Sequence, residues 1–184
     1  MTSIRGDSAM RLFALLVMVL GLFGTFAACD DNDPRKAPDG YEAKVDMDAD
    51  STEILARPDV KDRSVEVEHI LIAFKGSERS TASRSKDEAE KLAKDLYAKI
   101  KAGEDFDALK TKHTDDSGQK DADKTYVMYD SAKGGSKADG EFSRANMAKG
   151  FGDVSWRLKV GEVGVSPYKQ GYSDFGWHII RRVK

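Results

Sequence analysis

The sequence predicts an α+β domain, a small mixed and mainly antiparallel sheet of about four strands flanked by about four helices. Three observations carry this. Val65 to Phe74 alternates with the two-residue period of a strand. Ala89, Leu92, Ala93, Leu96, Tyr97 and Ile100 recur with the period of a helix and form one apolar stripe. Val163 to Tyr168 and Gly176 to Val183 read as a closing hairpin. A hairpin that follows a run of helices implies a layered α+β arrangement.

Each element has a local cause. In the first strand Val67, His69 and Leu71 share one face and Ile70, Ile72 and Phe74 the other. Both faces are apolar toward its end, which predicts a central strand. Lys75 to Arg84 is a polar, serine-rich loop with Gly76. Ser85 and Glu88 form a capping-box pair that starts the striped helix, and Gly103 suits its left-handed end. Glu104-Asp105 open a second, short helix carrying Phe106 and Leu109. Thr114 to Gly140 is a long polar loop, interrupted by Tyr126-Val127-Met128-Tyr129, which reads as a small strand or a lid. Glu141-Phe142-Ser143 reads as a short strand. Arg144 to Leu158 reads as two helical turns broken at Gly150 and Gly152.

The chain has 184 residues, and residues 1–28 read as a secretion signal. Arg5 and Arg11 precede a nearly unbroken apolar run from Leu12 to Phe23, and small residues Ala27-Ala28 follow. A start at Met10 gives a shorter positive segment ending in Arg11. The only cysteine, Cys29, comes next, and Phe26-Ala27-Ala28-Cys29 resembles a bacterial lipoprotein box, in which Leu usually stands at the position of Phe26. That resemblance implies a lipid on Cys29 and a domain held at the cell envelope, facing the periplasm or cell exterior. The alternative is an uncleaved anchor, for which the run is short against a span of about 20 residues. Residues 29–64 read as a flexible tether: seven aspartates from Asp30 to Asp50, Pro34, Pro38, Pro58 and no sustained period. Ser51 to Ala56 is long enough for one helical turn. The folded domain is expected over 65–184.

Composition removes several function classes. The formal net charge of −2 disfavours nucleic-acid binding. With one cysteine there is no disulfide framework, and with three histidines there is no cluster at metal-ligand spacing, so neither a metal nor another cofactor is expected. Two of those histidines, His69 and His178, lie in β-branched strand patterns. Buried imidazoles need partners, and adjacent strands would let the two satisfy each other. Paired core histidines are the plain account of that pattern; His113 reads as an ordinary helix-end residue.

Seven phrases give the pattern more meaning. They are His69-Ile70-Leu71, Lys101 to Phe106, Thr114-Asp115-Asp116-Ser117, Gly140 to Arg144, Ala145-Asn146-Met147 with Phe151, Leu158 to Val163, and Phe175 to Ile180. In this order they resemble the parvulin family of peptidyl-prolyl cis/trans isomerases, over about Val65 to Lys184. The resemblance implies a parvulin-like fold and action on X–Pro bonds of unfolded or exported polypeptides. It implies His69, Asp116 and His178 as the polar catalytic group, with Ser173 near a Ser or Thr that joins the histidines. It also implies Met147, Phe151, Phe142 and Phe175 as the apolar surface for substrate, although Met147 and Phe151, four apart, also suit a plain core face.

The chain departs from that family near the expected site. Ala138-Asp139-Gly140 stands where Asp-Leu-Gly is usual, so Asp139 takes the place of a leucine that walls the proline pocket. The 117–139 segment is over ten residues longer than usual, and the 167–176 turn is extended. These departures keep a second class open, a parvulin-fold module that binds unfolded chains or a partner without turnover. Lys75, Arg79, Arg84 and Lys86 lie where some parvulins bind phosphate; a solvated loop is the preferred reading.

Overall fold

The computed structural model describes residues 45–184. The signal segment, Cys29 and the first part of the expected tether lie outside the described residues. The elements are α1 (Met47–Ala56), β1 (Ser64–Ile72), α2 (Lys86–Lys101), α3 (Phe106–His113), β2 (Tyr126–Tyr129), β3 (Phe142–Ser143), α4 (Lys149–Ser155), β4 (Val163–Ser166) and β5 (Trp177–Arg182). The sheet has five strands in the order β3-β2-β1-β5-β4, one more than the sequence predicts. The added strand is β2, from the Tyr126–Tyr129 run. All pairs are antiparallel except β2 with β3.

β1 is central, and its two faces feed two cores. Ile70, Ile72 and Phe74 pack with Ala89, Ala93, Leu96 and Tyr97 of α2 and Phe106 and Leu109 of α3. Val65 and Val67 pack on the other face with Met128, Phe151, Val154, Trp156, Leu158 and Ile180. The capping box at Ser85 and Glu88 is formed, and Gly103 takes φ 97° just past the end of α2.

Two expectations are corrected. Residues 47–64 are part of the domain, not a loose tether. Met47 and Ile54 of α1 are buried, one in each core. The aspartates that suggest disorder have distant partners. Asp46 caps α1, Asp50 accepts the Tyr97 hydroxyl at 2.8 Å, Asp59 meets Arg144 and Arg157, and Asp62 meets Arg182. Helix α4 also runs unbroken through Gly150 and Gly152. Glycine is there because of close approach: a Cβ on Gly150 would lie 2.3 Å from Ser166 Oγ, and one on Gly152 3.2 Å from the Arg144 side chain.

Candidate active site

β1 and β5 bring the two strand histidines together. His69 is opposite Ile180, and His178 is opposite Leu71, so the imidazoles are diagonal neighbours on one face. The rings stack with centroids 5.2 Å apart and planes 11° off parallel, and the Nδ1 atoms are 3.1 Å apart. Both residues are buried.

β2 pairs with only the first part of β1, from Ser64 to Val67. Beyond it the 114–116 segment takes over the edge. Asp115 N–H donates to Leu71 O, Leu71 N–H to Thr114 Oγ1, and Ala73 N–H to Asp115 Oδ2. This stitching sets Asp116 beside His69, with Oδ2 2.9 Å from Nε2. Asp116 Oδ1 accepts Gly118 N–H at 2.9 Å.

These contacts place one proton. Burial pushes the Asp116 carboxyl up, but His69, the Gly118 N–H and Tyr126 outweigh it and bring it to about 2. An ionised carboxylate only accepts, so His69 Nε2 carries a proton. The hydrogen bond between the two Nδ1 atoms runs from His178 when His69 is neutral and from His69 when it is charged. Burial, then the neighbouring His69, holds His178 well below the usual histidine range, against a weaker pull from Asp116. His178 Nε2 has no hydrogen-bond partner among the described residues.

The pair forms part of the lining of a cleft of about 520 Å³. Met147, Phe151, Phe142 and Phe175 all line it, as does Ala148. The Phe151 ring meets His69 edge-on at 5.0 Å and Phe175 meets His178 edge-on at 6.5 Å. Arg144 fixes the turn before Met147: it bonds Asp59 at 2.5 Å, Asp130 at 2.9 Å and Asp153 at 3.2 Å, and lies over the Trp156 ring.

Ser173 is buried, but its hydroxyl donates to Gly176 O at 3.1 Å, within the tight turn before β5, and makes no bond to either histidine. Asp139 does not line the cleft. It accepts from Arg63 and from Ser136 N–H and Oγ, outside the pocket. Arg84 is held by Asp115 and by Ala73 O rather than left free in its loop. The sequence reading missed Tyr126, whose hydroxyl donates to Asp116 Oδ2 at 2.9 Å and whose ring lines the cleft. Its apolar run inside a polar loop was the available signal.

The comparisons agree with this architecture. The family model described as the PPIC-type PPIase domain matches residues 52–183. Foldase protein PrsA 4 of Bacillus cereus is 34% identical over 126 residues, covering 67% of this chain and 34% of its own length. Peptidyl-prolyl cis-trans isomerase pin1 of Rhizopus delemar is 32% identical over 125 residues, covering 64% of this chain and 71% of its own. The structure of peptidyl-prolyl isomerase ESS1 from Candida albicans superposes with a TM-score of 0.50 at 24% identity, covering 75% of this chain and 73% of that one, a likeness of fold. This chain spans about a third of the length of the B. cereus foldase it matches. By the extent of the domain match, the chain belongs to the PPIC-type PPIase (parvulin) family.

Proposed function

We propose that this domain is a peptidyl-prolyl cis/trans isomerase that assists the folding of exported polypeptides at the cell envelope. The observation that carries the reading is the His178–His69–Asp116 chain set against an apolar floor in one cleft. Resonance holds an amide against rotation by about 18–20 kcal/mol. Only X–Pro bonds commonly populate both isomers. Turning one requires no covalent step. It requires a grip on the ring and a field that favours the twisted amide.

Met147, Phe151 and Phe142 supply the grip. Asp116 supplies the field. In the planar amide the carbonyl oxygen carries resonance charge, and in the twisted amide it carries less. A fixed carboxylate near that oxygen disfavours the planar form relative to the twisted one. His69 and His178 hold the carboxylate in place and exclude water. None of these groups acts as a nucleophile in this scheme. The test is cis/trans exchange of proline tetrapeptides with the full chain. Catalysis that Asp116→Ala removes supports the reading, and peptide binding without rate enhancement refutes it.

A binding module without turnover is the second reading, favoured by the long 117–139 segment that reaches the cleft through Tyr126. The same assay separates the two. The envelope location rests on the leader pattern and on the similarity to PrsA foldases. Among the described residues no helix is long and apolar enough to cross a membrane. Lipid on Cys29 is tested by Cys29→Ser, which should abolish lipid labelling. Equal labelling of that variant refutes the anchor.

A further inference from the structure

We infer that Tyr126, supplied by the long 117–139 segment, is a working part of the site: its ring walls the proline pocket and its hydroxyl positions Asp116. The inference rests on the isomerase reading for its kinetic readouts and stands apart from it for its structural ones.

Three observations carry it. The ring sits among the groups of the cleft: edge-on to Phe142 at 5.1 Å, to His69 at 5.6 Å and to Phe151 at 6.0 Å. The hydroxyl donates to Asp116 Oδ2, the oxygen that also meets His69, so Tyr126 and His69 clamp one carboxylate oxygen from two sides. Burial, with the adjacent carboxylate, raises the phenol further above its ordinary value, so it remains a donor at every working pH.

The third observation is that the fold holds this residue on purpose-built supports. Lys110, fully buried on α3, donates its ammonium protons to Ala122 O and Lys124 O, each at 3.0 Å, and pairs with Glu68 of β1 at 2.5 Å. Thr125 Oγ1 donates to Glu66 at 2.7 Å. Tyr126 then enters the sheet opposite Val67, two residues before His69. On the far side Gly140 comes so close that a Cβ there would lie 2.9 Å from Val127 O. A segment free to act only as a surface loop would not need a buried lysine and a close-packed glycine on either side of its aromatic residue.

The experiment uses Tyr126→Phe and Tyr126→Ala in the full chain. Two quantities are read: the pH dependence of kcat/KM for a proline tetrapeptide, and the Asp116 carboxyl titration by carbon-13 NMR. Tyr126→Phe keeps the wall and loses the donor. It should leave KM near wild type, raise the Asp116 titration midpoint, and move the acidic limb of the rate profile the same way. Tyr126→Ala should also weaken peptide binding, by roughly fivefold to tenfold from the lost aromatic contact. An unmoved Asp116 midpoint in Tyr126→Phe, or unchanged peptide binding in a folded Tyr126→Ala, overturns the inference. If the wild type shows no catalysis, the isomerase reading fails. The NMR midpoint and peptide affinity by chemical-shift titration then still decide the role of Tyr126. If Tyr126→Ala does not fold, Tyr126→Phe alone decides it.

Discussion

Replacing Ile54 with alanine should destabilise the domain by about 2–5 kcal/mol, the usual result of removing a buried aliphatic side chain. Ile54 is only 3% exposed, though it lies in a segment whose composition suggests a solvated tether. It presses on the sheet at Gly164 of β4. A Cβ built there would lie 2.6 Å from Ile54 Cδ1 and 2.9 Å from Leu158 Cδ2. Gly164→Ala alone should therefore cost about 1–3 kcal/mol through overpacking. In the double variant the Ile54 contact is gone and Leu158 can move into the vacated space. The two changes should be less than additive, with a coupling within the roughly 0.5–3 kcal/mol found for touching residues. Urea unfolding of the four proteins gives each stability from midpoint and slope. An Ile54→Ala protein within about 0.5 kcal/mol of wild type, the range typical of surface changes, would refute the docking of α1. An additive cycle would refute the contact with β4.

Three further outcomes follow from the site and its supports. Asp116, 21% exposed in its side chain, has a folded pKa of about 2 against 3.8 unperturbed. A lowered carboxyl stabilises the fold above the unfolded pKa and loses that contribution as pH falls through the folded one. The stability gap between wild type and Asp116→Asn should accordingly narrow between pH 4 and pH 2 by on the order of 2 kcal/mol; a gap that does not change with pH refutes the carboxylate clamp. Lys110→Ala should cost about 3–5 kcal/mol in chemical denaturation, because it strands Glu68 and two loop carbonyls in the interior. A near-neutral result would mean that Arg181, which also binds Glu68, neutralises it alone. His178→Ala should lower stability by about 2–4 kcal/mol, combining a cavity with an unpaired His69 Nδ1. A melting temperature within 1 °C of wild type would show that the histidine pair has no structural share.

The sequence made the helices and the central strand legible because their signals are local. Ser85, Glu88 and Gly103 act within a few residues of where they stand, and both faces of β1 could be read from alternation alone. The histidine pair was legible for a related reason: two strand patterns each held one imidazole that needed a partner. Where partners are remote, local reading failed. The aspartates of α1 and the segment after it look solvated until Tyr97, Arg144, Arg157 and Arg182 are placed around them. Lys110 looks like a surface lysine until Glu68, 42 residues earlier, is seen beneath it. Gly150 and Gly152 look like helix breakers because their reason, crowding by Ser166, Tyr172 and Arg144, lies elsewhere in the chain. Tyr126 combined both difficulties: a short strand inside a polar loop, aimed at a carboxylate ten residues away.

The separation of the two histidines also sets a schedule for the domain's own birth. His69 and His178 are 109 residues apart, and β1 has its full set of sheet partners only when β5 is present. At about 5–20 residues per second, synthesis leaves β1 without β5 for roughly 5–20 s. For that interval its apolar faces and unpaired edge are open to other chains. No part of the cleft can work during it, because half of the imidazole pair has not yet been made. A domain built this way cannot use its cleft on its own first half. It depends on remaining unaggregated until β5 arrives, and in the meantime Glu66 and Glu68 interrupt the apolar pattern of β1.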